Sequence, residues 1–140
     1  MNIFNKISCS HCNEEFRKSK IISDELCEGC FRHACLLFSI FNYGYQELLQ
    51  MIENSNDSDD IFSKYESLFE FIQFELKPWY SYNCLPHITP KSIKIFQNKI
   101  NQKLFNQINA SLDNLKSKSR LLSNYEKHLL LHGEDIDFLK

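Results

Sequence analysis

The sequence predicts an α+β protein that is mainly helical and opens with a small metal-binding module. Four cysteines near the N-terminus form two C-x-x-C pairs, Cys9 with Cys12 and Cys27 with Cys30. Only three Gly and three Pro occur among 140 residues, which favours long helices over many tight turns. Apolar residues recur every three or four positions through much of the remaining chain, which is the spacing of amphipathic helices.

The two cysteine pairs are separated by 14 residues, a pattern typical of a structural zinc site. Zn²⁺ in such sites takes four thiolates in a tetrahedron, and each C-x-x-C turn supplies two of them. We therefore expect a zinc ribbon or treble-clef module over residues 1–35. Because four protein ligands leave no open position for water, the predicted Zn²⁺ is structural. The expected ligands are Cys9, Cys12, Cys27 and Cys30.

Other histidines and cysteines are weaker candidates for chemistry. His11, His33 and Cys35 lie near the pairs in sequence and are the alternative ligands. Cys35 and Cys84 are otherwise expected to be buried thiols, because free cysteine packs as a small hydrophobe. A nuclease held together by a structural zinc ion would carry a catalytic histidine between the two cysteine pairs. Residues 13–26 contain no histidine. No phosphate loop, nucleophile elbow or metalloprotease motif occurs, so the sequence predicts no catalytic residue.

The first half of the chain predicts two or three helices. Residues 31–41 are apolar on most sides and predict either a buried helix or a helix followed by a short strand. Residues 43–45, Tyr-Gly-Tyr, predict an interruption before a further short helix. The acidic loop 54–60 predicts a helix N-cap. The helix that follows carries an apolar face over residues 61–76, and Pro78 ends it.

The second half predicts one strand and one long helix. Residues 80–85 are the strand candidate of the middle region, and Pro90 stands where a helix begins. Residues 129–131 predict a last short strand or helix, and Glu134 with Asp135 a solvated tail. The apolar stripe of the long helix comprises Ile93, Phe96, Ile100, Leu104, Ile108, Leu112 and Leu115.

Charge is strongly segregated along the chain although the net charge is only −2. Residues 36–76 hold one basic and eight acidic residues, whereas residues 77–128 hold nine basic and two acidic ones. Either the two segments pack together and neutralise each other, or the basic segment faces nucleic acid. For the second case Phe105, off the apolar stripe, is the candidate for stacking on bases of single-stranded DNA. The candidate phosphate contacts are Lys91, Lys94, Lys99 and Lys103.

The apolar runs of the sequence are too short to cross a membrane. None approaches the roughly 20 residues that a membrane-spanning helix needs. The N-terminus shows no apolar core followed by a small-residue cleavage site, so a secreted protein is not expected. We expect a cytoplasmic protein without membrane insertion, in which the cysteines bind metal instead of forming disulfides.

The order of these features resembles the ComF family of competence-associated proteins. The cysteine pairs are followed by Phe38-Ser-Ile-Phe-Asn-Tyr-Gly-Tyr, which looks like the family's aromatic strand leading into its first helix. Residues 84–94 are similar to the family's strand of alternating apolar residues and prolines, followed by a basic helix start. The tripeptide Phe-Asn-Gln at 105–107 repeats a further family motif, for which residues 96–98 are the alternative counterpart. The cysteine motif is the sharp part of this resemblance.

The resemblance implies that residues 36–140 form an incomplete phosphoribosyltransferase-like α/β domain with few strands. In the family an apolar strand and an acidic pair lead into a Thr/Gly-rich phosphate loop, which holds phosphate with backbone N–H groups. Residues 129–135 match the strand and acidic pair, but no such loop follows. The expected function is DNA uptake or single-stranded DNA handling without transferase activity, with single-stranded DNA and a DNA-uptake protein as partners. The alternative is a protein-interaction adaptor of a transcription or replication machine, docked through the zinc module, helix 31–41 and the acidic segment.

Overall fold

The structure is a computed structural model that describes residues 6–54 and 57–110. Four short strands come first, and three long helices follow. The strands are β1 (Lys6–Ser8), β2 (Glu15–Arg17), β3 (Ile21–Ile22) and β4 (Leu26–Cys27). The helices are α1 (Glu28–Glu53), α2 (Ser58–Phe71) and α3 (Pro90–Ala110). Shorter turns of helix occur at Lys18–Lys20, Ile72–Leu76 and Lys77–Trp79.

The four strands form two separate antiparallel hairpins. β1 pairs with β2, and Ile7 stands opposite Phe16. These two side chains are partly buried and pack against the core. β3 pairs with β4, so that Ile21 stands opposite Cys27. Strands of two or three residues bury little surface on their own, which is why a module of this size depends on a metal or on neighbouring helices.

α1 is one continuous helix through residues 31–41. For this range the sequence predicts either a helix or a helix followed by a short strand. The interruption predicted at residues 43–45 is wrong, because the helix runs through Gly44 to Glu53. Phe41, Tyr45 and Leu48 on either side of the glycine are buried, and this packing outweighs the local cost of glycine. The division into residues 1–35 and 36–140 stays a prediction. α1 runs across the boundary between these two ranges.

α1, α2 and α3 pack into a three-helix arrangement that buries most of the apolar side chains. α2 runs antiparallel to α1, because Lys64 pairs with Glu47 at 3.1 Å while the later Leu68 lies against the earlier Gly44. α3 runs parallel to α1, because Phe96 contacts Phe38, Phe41 and Tyr45 while the later Lys103 reaches Glu53. The fully buried large side chains are Tyr65, Phe41, Leu26, Leu48, Ile52, Leu76, Leu85, Ile88, Ile93 and Ile100.

The strand predicted at residues 80–85 is wrong, because this segment forms a series of turns. The N–H of Tyr82 donates to the carbonyl of Trp79, and that of Leu85 donates to the carbonyl of Tyr82. Ile88 repeats the pattern with the carbonyl of Leu85. Such i to i−3 bonds close turns, so these backbone groups are not available to a strand.

α3 begins at Pro90, as the sequence predicts. Thr89 precedes it, and its hydroxyl accepts a hydrogen bond from the N–H of Ser92 at 3.1 Å. The Ser92 hydroxyl in turn accepts from the N–H of Thr89 at 3.1 Å. This reciprocal pair satisfies donors that a helix start leaves without partners. Ile108 has no described side chain, and Leu112, Leu115 and residues 129–131 lie outside the described residues.

The mainly helical character and the few short antiparallel strands agree with the predicted α+β class. Between Glu28 and Ala110 the described residues contain no strand, so the phosphoribosyltransferase-like domain is not confirmed. Among the described helices, none combines the length and the apolar character that crossing a bilayer requires.

Candidate metal centre

The four predicted ligands converge on one point. The Sγ atoms of Cys9, Cys12, Cys27 and Cys30 all lie within 4.8 Å of one another. The Sγ atoms of Cys12 and Cys27 are 4.0 Å apart. A tetrahedral Zn²⁺ with Zn–S bonds of about 2.3 Å requires sulfur separations of about 3.8 Å. A small contraction therefore lets this cluster hold a metal ion of that size.

The first cysteine pair sits in the turn that joins β1 to β2. The carbonyl of Cys9 accepts a hydrogen bond from the N–H of Asn13 at 2.9 Å. The N–H of Cys9 donates to the carbonyl of Glu14, also at 2.9 Å. Asn13 has a φ of 64°, in the left-handed region that asparagine tolerates better than most residues. The turn folds back tightly enough to point both thiols to the same side.

The second pair stands where β4 gives way to α1. Cys27 is the N-cap of α1, and its Sγ accepts a hydrogen bond from the N–H of Cys30 at 3.4 Å. Thiolates are stabilised at this end because the helix dipole and the exposed N–H groups are positive there. Gly29 lies in the first turn of α1 without a left-handed φ.

The thiols of Cys9 and Cys30 differ in how readily they ionise. Burial disfavours the thiolate of Cys9, but hydrogen bonds from the backbone of Cys12, Cys27 and His11 outweigh it and lower its pKa to about 6. Burial and the neighbouring cysteines raise the pKa of Cys30 far above its usual value. Several thiolates cannot coexist at this distance without a positive charge among them, which a divalent cation supplies.

The other potential ligands lie outside the cluster. Among the described residues, these four cysteines are the one group of three or more His, Cys, Asp or Glu side chains placed to hold a metal ion. His11 instead stacks on Trp79, with ring centroids 4.1 Å apart. His33 also faces Trp79, at 6.0 Å. Cys35 was predicted to be a buried thiol, but its side chain is only half-buried. The four-cysteine set is therefore the ligand set that the geometry supports.

Two contacts that the sequence did not reveal join the metal-binding hairpins to the segment before α3. His11 Nδ1 lies 3.3 Å from the hydroxyl of Tyr82, beside the stack on Trp79. The Glu25 carboxylate accepts hydrogen bonds from the N–H groups of Asn83 and Cys84, at 3.0 and 2.8 Å. These backbone donors lower the pKa of Glu25. No local sequence pattern predicts these contacts, because the partners lie 58 to 71 positions apart.

Cys84 is half-buried beside Glu25 and not fully buried as predicted. Burial, followed by the adjacent Glu25 carboxylate, raises the pKa of its thiol to about 11. A thiol that stays protonated is a poor nucleophile and a poor metal ligand.

The candidate nucleic-acid contacts all lie on α3, which carries four lysines and no acidic residue. Lys91, Lys94 and Lys99 are exposed, while Phe105 is half-buried. At about 100° per residue, Lys91, Lys94 and Phe105 fall on one face of the helix. Lys99 and Lys103 project from a different side. The predicted set therefore divides into two groups.

An ion pair within the molecule neutralises part of the opposite charge carried by the acidic and basic segments. Lys103 pairs with Glu53 at 3.4 Å, which joins the basic segment to the acidic one. Asp57 caps α2 by accepting a hydrogen bond from the N–H of Asp59 at 2.8 Å. Asp59 and Asp60 lie in the first turn of α2, where acidic side chains complement the helix dipole. The acidic residues at the start of α2 thus have a local structural role.

His87 packs edge-on against Phe38, with ring centroids 4.6 Å apart, and burial lowers its pKa. His128, His132, Glu134 and Asp135 lie outside the described residues.

No family model matches this chain, and no curated protein or solved structure matches it either.

Proposed function

We propose that this chain is a zinc-stapled protein that binds single-stranded nucleic acid through α3, in the manner of a ComF-like protein without transferase activity. The observation that carries the proposal is the charge of α3: four lysines, no acidic residue, and three of the lysines exposed. Zn²⁺ at the four cysteines has a structural role, because it completes its coordination with protein ligands.

The face defined by Lys91, Lys94 and Phe105, here called the α3 basic face, fits an extended strand of nucleic acid best. Cations contact the phosphate backbone, and an aromatic ring offers a surface for bases to stack on. Lys103 lies on a different side of α3 and pairs with Glu53 at 3.4 Å. Binding in this mode depends on charge and stacking and is expected to tolerate many sequences.

A second basic cluster supports the same function from the metal-binding module. Lys6 and Arg17 stand directly opposite each other across the β1–β2 pair, and both are exposed. Cations held this close together add to the positive field that attracts a phosphate backbone. Lys18 follows Arg17 and is also exposed.

The proposal is tested by fluorescence anisotropy with a labelled oligothymidylate at several salt concentrations. We expect the affinity to fall as salt rises, since displaced counterions drive phosphate binding. Replacing Lys91 and Lys94 by Glu should weaken binding strongly and flatten the salt dependence. Lys99→Glu is the matched control, because it makes the same charge change on a different side of α3. Its loss of affinity per substitution should be smaller.

Two results would overturn the proposal. Absence of binding at low salt would exclude a nucleic-acid function and leave the protein-interaction adaptor as the remaining candidate. Binding that is indifferent to salt, or equally sensitive to every lysine, would exclude the α3 basic face as its site.

A further inference from the structure

The α3 basic face contains two amide side chains in addition to its lysines. Asn98 follows Lys91 by seven residues and precedes Phe105 by seven, which places it on the line that joins these two side chains. Gln102 follows Asn98 by four residues and is its neighbour on the helix surface. Both amides are exposed. They therefore lie in the middle of the surface to which the proposed function assigns nucleic acid.

Neither amide has a structural partner among the described residues. The side chains of Asn98 and Gln102 form no hydrogen bond with another residue of the described ranges. Asn101, in contrast, is 2% exposed and accepts a hydrogen bond from the Tyr65 hydroxyl. An amide tip carries a carbonyl acceptor beside an N–H donor. On the exposed side of α3 these groups are available to a ligand that offers the complementary pair.

Apolar side chains stand before and after the two amides along α3. Ile95 precedes Asn98 by three residues and is 62% exposed. Phe105 follows Gln102 by three residues and is half-buried. Because residues three or four apart are neighbours on a helix, the four side chains form one continuous surface. A nucleobase has an apolar planar face and a polar edge, and this surface offers a contact for each of them.

We propose that Asn98 and Gln102 bind base edges and give the α3 basic face a preference for adenine. The inference rests on the proposed nucleic-acid function and adds to it, since charge and stacking alone tolerate many sequences. Adenine carries its N6–H donor between two acceptors, N1 on the Watson–Crick edge and N7 on the Hoogsteen edge. An amide can therefore form a pair of hydrogen bonds with either edge of an unpaired adenine.

The other bases complement an amide on one edge only. Cytosine and thymine offer a donor beside an acceptor on their Watson–Crick edges and have no second edge of this kind. The Hoogsteen edge of guanine carries two acceptors, N7 and O6, which suit a lysine or an arginine. The amide pair therefore predicts a graded preference and not an absolute one.

Fluorescence anisotropy with labelled oligodeoxyadenylate and oligothymidylate of equal length tests the inference on the zinc-bound chain. We expect the wild type to bind oligodeoxyadenylate about tenfold more tightly, which is the scale of one bidentate base contact. The double variant Asn98→Ala and Gln102→Ala should reduce this ratio to about one. Its affinity for oligothymidylate and its salt dependence should change little, because the lysines that contact phosphate remain.

The matched control is the double variant Gln46→Ala and Gln50→Ala. It removes two exposed amides at the same spacing from α1, on either side of the acidic Glu47, and should keep the wild-type ratio. Circular dichroism verifies that each variant is folded, as expected because alanine is favourable at exposed helix positions.

The outcomes separate this inference from the function on which it rests. Equal affinity of the wild type for the two strands, or a preference that survives the loss of both amides, would overturn the inference and leave the proposed function standing. Absence of binding to both strands would overturn the proposed function, and the inference with it.

Discussion

The imidazole of His11 lies stacked on the indole of Trp79, with ring centroids 4.1 Å apart and 22° between the planes. His11 belongs to the turn that carries Cys9 and Cys12. Trp79 is buried, and in the sequence it lies in the short helical turn between α2 and α3. This contact and the Glu25 hydrogen bonds tie the position of the cysteines to that of the segment before α3. The four-cysteine cluster is therefore joined to the helical part of the fold by contacts beyond the cysteines themselves.

Replacing Cys12 by Ser should abolish stable zinc binding. Cys12 is exposed, so the substitution removes a thiolate ligand without leaving a cavity. Zinc content after dialysis against a chelator, measured by mass spectrometry, should fall from one ion per chain to well below one, because structural sites need all four ligands. Cys84→Ser is the control and should retain the metal. Full zinc retention in the Cys12 variant would contradict the assignment.

Replacing His11 by Ala should lower stability while leaving zinc content unchanged. The variant loses an aromatic stack and a hydrogen bond to Tyr82, at a cost of about 1 kcal/mol in the free energy of unfolding. Urea unfolding monitored by circular dichroism measures this loss. Ser10→Ala, in the same turn, should be neutral. If zinc content fell together with stability, His11 would be acting as a ligand, contrary to the geometry.

Replacing Glu25 by Gln should lower the melting temperature. Gln keeps the size of the side chain but loses the charge that strengthens hydrogen bonds to the N–H groups of Asn83 and Cys84. Glu14→Gln removes the same charge from the first cysteine turn and should change the melting temperature little. Equal effects of the two substitutions would mean that the Glu25 contacts are unimportant, and the proposed link between the module and the segment before α3 would fail.

Replacing Asn101 by Ala should destabilise the helix packing by about 1–2 kcal/mol, because a buried polar partner is lost. Asn101 is only 2% exposed, and its Oδ1 accepts a hydrogen bond from the buried Tyr65 hydroxyl at 2.6 Å. Asn98→Ala, at an exposed position of the same helix, is the control and should cost much less. Comparable losses in chemical denaturation would show that the buried hydrogen bond does not fix α3 against α2.

Local patterns were sufficient to predict that the four cysteines form one group, and to predict most helices. The C-x-x-C spacing identifies all four cysteines that converge, because the geometry of each turn is set by its own four residues. The start of α3 at Pro90 follows from the fixed φ of proline and its missing N–H. Ile93, Ile100 and Leu104 are buried as their periodicity predicts.

Long-range contacts explain the errors. Residues 80–85 alternate as a strand does, but Glu25 takes the N–H groups of Asn83 and Cys84 and holds the segment in turns. Gly44 suggests a break, but burial of its neighbours keeps α1 continuous. The contacts of His11 and Trp79 were not predictable either, since nothing in the local sequence of one residue indicates the other.

X-ray absorption at the zinc edge of the purified chain measures which atoms surround the metal and at what distance. We expect one zinc ion per chain with four sulfur neighbours at about 2.3 Å, the signature of a closed structural site. A spectrum that requires nitrogen or oxygen neighbours, or a folded chain that binds no zinc, would contradict it.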